Sequence, residues 1–358
     1  MHIAPLCISS NLRSYQVSFE STAQFFQQLA QVNPAVFVVD AQVWNLYKDT
    51  ALACLPQERL VLFDAVEENK NLASCCTLYE KIMAFAPRKN LTLISIGGGI
   101  TQDVTGFVAS TLYRGINWIF VPTTLLAQVD SCIGAKTSLN FKSYKNLLGS
   151  FYPPSAIYLW SHFVQTLTET DFFSGVGEMA KLHIMAGEDY IKDFLHDLPA
   201  IQARKPEVLL AKNAICLQIK KEYIENDEFD TGKRNLLNYG HCFGHAIESA
   251  CNFAIPHGQA VVLGMLLANK YAADNGFLSA EKELFLRKNI LLPIFTCRQQ
   301  LCAVDAQQAL SAMGQDKKRT GNGLALVMLT DQGMKKITDL QAPAALALLQ
   351  SLEEICHD

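Results

Sequence analysis

Charge is scarce in this chain and close to balanced: 18% of residues are charged, 30 Lys and Arg stand against 34 Asp and Glu, and the formal net charge is −4. Proteins that grip nucleic acid neutralise phosphates with a basic surplus, and no such surplus exists here, so no nucleic acid partner is expected. No uninterrupted run of about 18 apolar residues occurs, so no membrane span is expected either. The opening MHIAPLCISSNLRS lacks a basic stretch followed by a long apolar one, which argues against a secretory signal. The 11 cysteines are odd in number and contain no CxxC pair. That pattern fits reduced thiols in the cytoplasm, not a disulfide framework or a cysteine metal site. Repeats, low-complexity segments, GxGxxG and the P-loop pattern are all missing.

Apolar residues are plentiful. They make up 50% of 358 residues, enough for two domains with buried cores. The mean hydropathy of +0.13 is high for a chain without membrane spans, and points to internal parallel strands or an extensive subunit interface. Segments 35–40, 58–66, 91–99 and 116–124 read as buried strands, separated by helical stretches such as 70–86 and 103–113. Strands alternating with helices imply βαβ units and a parallel sheet. Ligands then sit beyond the carboxyl ends of the strands, where Asp40, the triple glycine 97–99 and Thr123-Thr124 fall. From about residue 167 the periodicity turns helical, over 171–198, 206–227, 234–253, 258–275, 279–290, 304–314 and 342–356, with 324–329 strand-like. The predicted plan is an α/β domain over 1–165 and a mainly α-helical domain over 166–358.

Three of the 8 histidines fall within 17 residues: His241, His245 and His257. Two histidines four apart stack on one helix face, about 6 Å apart along the axis. His257 sits between Pro256 and Gly258, which suits a turn that folds back on that helix. With a carboxylate such as Glu178 in SGVGEMAKLHI, this makes a His/Glu set of the kind that holds a catalytic Zn²⁺. Spacing alone does not decide whether His245 is a third imidazole ligand. The triple glycine, placed between a strand and a helix, can admit a pyrophosphate to backbone amides. Asp103 is expected in the first turn of that helix, where it would also complement the macrodipole. Asp130, Lys136, Lys145 and Asn146 alternate with small and apolar residues, as in a pocket wall that holds phosphate and hydroxyl groups.

At these residues the chain resembles the 3-dehydroquinate synthases and, more broadly, the sugar phosphate cyclases. The resemblance rests on EENK (67–70), GGGITQD (97–103), YRG (113–115), PTTLLAQVD (122–130), GAKTSLN (134–140), KN (145–146), GEMAK (177–181), RNLLNYGHCFGHAIE (234–248) and HGQAV (257–261). It implies an NAD-binding α/β domain followed by a helical metal-binding domain. By the same resemblance Glu178, His241 and His257 bind Zn²⁺ or Co²⁺, and His245 faces substrate. The implied NAD contacts are Asp40, Glu67, Lys70, Gly98, Gly99, Asp103, Thr123, Thr124, Lys145 and Thr166. Substrate and catalytic contacts map to Asp130, Lys136, Asn146, Lys181, Lys220, Arg234, Asn238 and His245, joined by Lys317 or Lys318. Arg114 would reach the phosphate held by a neighbouring subunit, which implies a homodimer. The implied reaction oxidises a ring hydroxyl of a seven-carbon sugar acid phosphate with NAD⁺, eliminates phosphate, reduces the ketone again, and closes a carbocycle. It belongs to aromatic amino acid biosynthesis by the shikimate pathway.

Some positions depart from the family pattern. Phe141-Lys142-Ser143-Tyr144 replaces the usual His-Pro-x-Gly, Ala135 replaces a glycine, and Gln259 stands where the family has Glu. That Glu is expected to support a metal-binding histidine, a role Gln could keep only as a neutral acceptor. The alanine is tolerable unless its φ is positive. Arg234, Lys220 and Asn238 favour a substrate carboxylate, since Arg offers paired donors to it. The acid substrate 3-deoxy-D-arabino-heptulosonate 7-phosphate is therefore preferred over neutral sedoheptulose 7-phosphate. A metal-dependent polyol dehydrogenase is the rival enzyme class.

Overall fold

The computed structural model describes residues 3–142, 144–314 and 323–357. They divide into two compact units: Met1–Leu167 with Ile201–Phe229, and Thr168–Ala200 with Asp230–Asp358. The chain thus passes between units more than once, whereas the sequence suggested a single passage at 165/166.

In the first unit the strands are β1 (Leu6–Ile8), β2 (Tyr15–Phe19), β3 (Ala35–Asp40), β4 (Leu60–Phe63), β5 (Thr92–Gly97), β6 (Asn117–Pro122), β7 (Lys136–Phe141), β8 (Tyr144–Phe151) and β9 (Ala156–Leu159). Seven form one sheet in the order β1-β2-β9-β6-β5-β3-β4, parallel throughout except where β1 meets β2. Successive residues of the central strands point to opposite faces, and both faces are covered. Val36, Val38, Leu93 and Phe120 pack with Leu78, Val104, Val108, Leu210, Leu217 and Ile224 on one face. Phe37, Val39, Ile94, Ile96 and Val121 pack with Phe26, Leu29 and Phe163 on the other. This double burial is why the strands read as continuous apolar runs.

The helix Pro206–Asn226 belongs to this unit because its buried Leu210, Leu217 and Ile224 complete a sheet face. β7 and β8 pair antiparallel, from Lys136 opposite Phe151 to Phe141 opposite Tyr144. The helix after the triple glycine spans Gly99–Thr111, so Asp103 lies beyond the first turn and its expected dipole role is lost.

The second unit is helical. The stretch 171–198 contains a break: one helix spans Glu169–Ala186, Gly187 turns at φ 106, and a second helix begins at Glu188. The stretch 234–253 likewise divides into a 3₁₀ turn Lys233–Asn238 and a helix His241–Ala250, hinged at left-handed Gly240. The helix His257–Asp274 follows Pro256. β10 (Leu324–Thr330) pairs antiparallel with β11 (Gly333–Leu340). β11 went unpredicted because GMKKITDL is mostly exposed and lacks apolar alternation. Among the described residues, no helix is long and apolar enough to cross a membrane.

Candidate active site

Glu178 sits in the middle of the helix Glu169–Ala186 and is fully buried. Its Oε1 lies 3.4 Å from Nε2 of His241 and 3.4 Å from Nε2 of His257. Its Oε2 lies 2.6 Å from Lys181 Nζ, which also donates to the Leu237 carbonyl at 3.1 Å. Neither carboxylate oxygen receives a well-aligned hydrogen bond. A buried carboxylate in that condition is costly unless cations face it. Burial works against its charge, yet Lys181, His241 and His257 together hold it well below the usual carboxylate range.

The two imidazoles are aimed by their other nitrogens. His241 Nδ1 lies 3.1 Å from the Tyr239 carbonyl, and His257 Nδ1 lies 3.0 Å from Glu248 Oε2. An Nδ1–H donated to each acceptor turns Nε2 toward Glu178. Burial, reinforced by Lys181, drives His241 well below its ordinary value, so this ring is neutral. Burial opposes charge on His257 too, but Glu248 and Glu178 outweigh it and push this group up to about 10. His245, one turn on from His241, completes a trio whose ligand atoms all lie within 4.8 Å of one another. Geometry therefore brings all three histidines together, while Glu178 pairs with His241 and His257. The donor set of one carboxylate and imidazole nitrogens fits a divalent ion of the zinc type, which would take the place of the proton that His257 otherwise carries toward Glu178.

Glycines let these helices meet. A Cβ at Gly258 would sit 1.8 Å from the Ser174 carbonyl oxygen, and one at Gly177 would sit 2.4 Å from the Gly258 carbonyl oxygen. The helices 169–186 and 257–274 thus touch backbone to backbone, placing Glu178 and His257, each next to one of these glycines, side by side.

Other predicted residues of this unit lie on one turn, with Arg234 buried and Asn238 half-buried between Lys233 and Asn238. Lys317 and Lys318 lie outside the described residues. Gln259 proves to have a different task from the one expected. Its amide donates to the Phe173 and Ile294 carbonyls at 2.9 and 3.1 Å, and its oxygen accepts from Thr296 N at 2.8 Å. It clips three segments together, and the carboxylate beside the histidine is Glu248 instead.

In the first unit, Gly98 caps the helix Gly99–Thr111 without any side-chain hydrogen bond. A Cβ at Gly98 would sit 2.8 Å from Thr124 Cγ2, whereas one at Gly99 would meet nothing nearer than Ser131 Oγ at 3.8 Å. Glycine amides at an open helix start suit phosphate oxygens. Thr123 N donates to the Gly97 carbonyl at 3.0 Å, tying the ends of β5 and β6 together. Asp40 ends β3 and accepts from Gln42 N at 2.8 Å, with burial raising its pKa. Thr166 Oγ1 meets Tyr47 Oη at 3.0 Å.

A polar network joins Lys70, Asp103 and Asn146. Lys70 Nζ lies 2.5 Å from Asp103 Oδ2 and donates to Asn146 Oδ1 at 2.7 Å. Ser138 Oγ donates to Asp103 Oδ2 at 2.8 Å, and Asn140 donates to Glu67 Oε1 at 2.8 Å, with Lys145 Nζ 3.4 Å from the same oxygen. Burial raises the Asp103 pKa even against the pull of Lys70. Asp130 Oδ1 and Lys220 Nζ form a separate pair at 3.0 Å. Lys136 is exposed on β7, and Arg114 is exposed on a turn at φ 62. Ala135 adopts φ 63, so its Cβ occupies left-handed backbone that favours the family's glycine.

Sequence reasoning missed Ser138, Asn140 and Glu248 as site residues. Ser138 and Asn140 share a face of β7 with Lys136 by the two-residue period. Glu248 shares the histidine face of its helix, seven residues after His241 and three after His245.

The family model described as 3-dehydroquinate synthase N-terminal matches residues 60–174, and that described as 3-dehydroquinate synthase C-terminal matches 175–319. The 3-dehydroquinate synthase of Clostridium tetani is 33% identical over 326 residues, covering 90% of this chain and 85% of the relative. Among solved structures, 2-deoxy-scyllo-inosose synthase with carbaglucose-6-phosphate, NAD⁺ and Co²⁺ superposes with a TM-score of 0.82 at 22% identity, covering 97% of this chain and 99% of the other. The 2-epi-5-epi-valiolone synthase of Streptomyces hygroscopicus subsp. jinggangensis, with NAD⁺ and Zn²⁺, gives 0.83 at 24% identity, covering 97% and 98%. The solved structures share the fold, while the family models and the curated relative carry the assignment: the chain belongs to the 3-dehydroquinate synthase family.

Proposed function

We propose that this protein converts 3-deoxy-D-arabino-heptulosonate 7-phosphate to 3-dehydroquinate and phosphate, using NAD⁺ catalytically together with Zn²⁺ or Co²⁺. The observation that carries this reading is the convergence of His241 and His257 Nε2 on a buried Glu178 oxygen, each at 3.4 Å. Two solved neighbours hold NAD⁺ with Co²⁺ and NAD⁺ with Zn²⁺, which supports the cofactor pair. A divalent ion on Glu178, His241 and His257 supplies Lewis-acid polarisation of substrate hydroxyls.

The chain's own groups do the rest. Gly98, Gly99, Thr123 and Thr124 receive the dinucleotide phosphates, while Asp40 accepts hydrogen bonds from ribose hydroxyls. Glu67, Lys70, Asp103, Lys145 and Thr166 complete that site. Arg234 offers paired donors to the substrate carboxylate, and Lys220, Asn238, Lys136 and Asn146 orient the remaining polar groups. Lys181 and His245 stand beside the ion's ligands and hold protons near the reacting oxygens. Arg114 of the partner subunit and Lys317 or Lys318 take the phosphate, which makes the working unit a homodimer.

A second reading is a cyclase of a specialised pathway acting on sedoheptulose 7-phosphate. The sequence departures that raise it are Phe141-Lys142-Ser143-Tyr144 in place of His-Pro-x-Gly and Ala135 in place of glycine. Purified protein with NAD⁺ and Zn²⁺ should release phosphate from the acid substrate. Release from sedoheptulose 7-phosphate alone would reject the preferred substrate.

A further inference from the structure

Glu248 has no part in the reading above, yet it is the group that contacts His257 on the side away from Glu178. Its Oε2 lies 3.0 Å from His257 Nδ1, and its side chain is only 12% exposed. It sits in the last turn of the helix His241–Ala250, where a negative charge opposes the helix dipole. Local helix preference therefore does not explain an acid there. Its face does: His241, His245 and Glu248 follow one another at four and three residues and point the same way.

We propose that Glu248 is a positioning residue for the divalent-ion site. It accepts the Nδ1–H of His257, fixes the ring so that Nε2 faces Glu178, and makes that nitrogen a better donor to the ion. His241 is held by a neutral carbonyl, that of Tyr239. The two imidazoles are thus unequal, with His257 the more basic donor and the more sensitive to its support. The inference rests on the reading of Glu178, His241 and His257 as ion ligands.

The test is Zn²⁺ affinity of metal-free protein, measured by competition with a chromophoric chelator, for wild type, Glu248→Gln, Glu248→Ala and Glu178→Gln. Gln keeps an acceptor for Nδ1 without the charge, so it should weaken Zn²⁺ by about 10-fold, and Ala by about 100-fold. Glu178→Gln should weaken it more than either. Melting of each metal-free variant separates fold from affinity, and Gln decides if Ala does not fold. A Glu248 that only ties helices together would lower the metal-free melting temperature and leave both variants within twofold of wild-type affinity, which overturns the proposal. Wild type that takes up no Zn²⁺ overturns the ligand reading beneath it, and the wild-type arm shows that directly.

Discussion

Glu178 is a buried charge shared by three cationic or imidazole partners, and its removal has two separable consequences. On the proposed ligand reading Glu178→Gln removes the ion's anionic ligand, so metal retained after dialysis and cyclase activity should both fall. In chelator, the same change leaves Lys181 buried without its counter-charge, and urea unfolding should show a loss of about 3 kcal/mol. On the proposed role of Arg234 as carboxylate binder, Arg234→Ala should act differently, raising KM by the equivalent of roughly 2–3 kcal/mol with metal content unchanged. Thiol reactivity checks burial independently. Cys75 and Cys132 are pushed up to about 12 and Cys356 to about 11, chiefly by burial, so at neutral pH they stay protonated. A native titration with a disulfide reagent should therefore modify exposed Cys7, Cys54, Cys76 and Cys302 and reach these three only on unfolding. The meeting of His241 and His257 was legible in sequence because histidine is rare here and clustered, whereas Glu178 was singled out through the family resemblance. Glu248 was not, because acids are common on helices and only its partner distinguishes it.

At the level of elements, close-packed helices position the cage. Gly258→Ala drives a methyl into the Ser174 carbonyl, backbone against backbone, and should cost about 3 kcal/mol in denaturant unfolding while reducing metal retention. Gly276→Ala is the control: nothing lies within 4 Å of its Cβ, and only its φ of 70 opposes the change, at about 1 kcal/mol. Equal effects would contradict the packing account. The parallel strands were readable from sequence because burial on both faces leaves unbroken apolar runs. The breaks at Gly187 and Gly240 were not, since apolar periodicity continues across a glycine hinge. The β7–β8 hairpin was readable only as polar chemistry: Ser138 and Asn140 face Asp103 and Glu67, so its pattern reflects the site rather than a core.

For the whole molecule, the sheet unit is not a continuous stretch of chain. Leu210, Leu217 and Ile224 arrive from a helix encoded after the first segment of the helical unit. Burying three such side chains contributes about 6 kcal/mol, comparable to the full stability of many domains. A fragment ending at residue 167 should therefore unfold without cooperativity and bind an apolar dye, unlike the full chain. No sequence pattern announces this, because an apolar helix face does not say which sheet it will cover. The proposed cyclase borrows a hydride and returns it. The most direct measurement is phosphate release followed together with absorbance at the NADH band, using 3-deoxy-D-arabino-heptulosonate 7-phosphate, NAD⁺ and Zn²⁺. Many phosphates released per enzyme with no net NADH is the predicted result; NADH accumulating in step with substrate consumed, without phosphate, would contradict it.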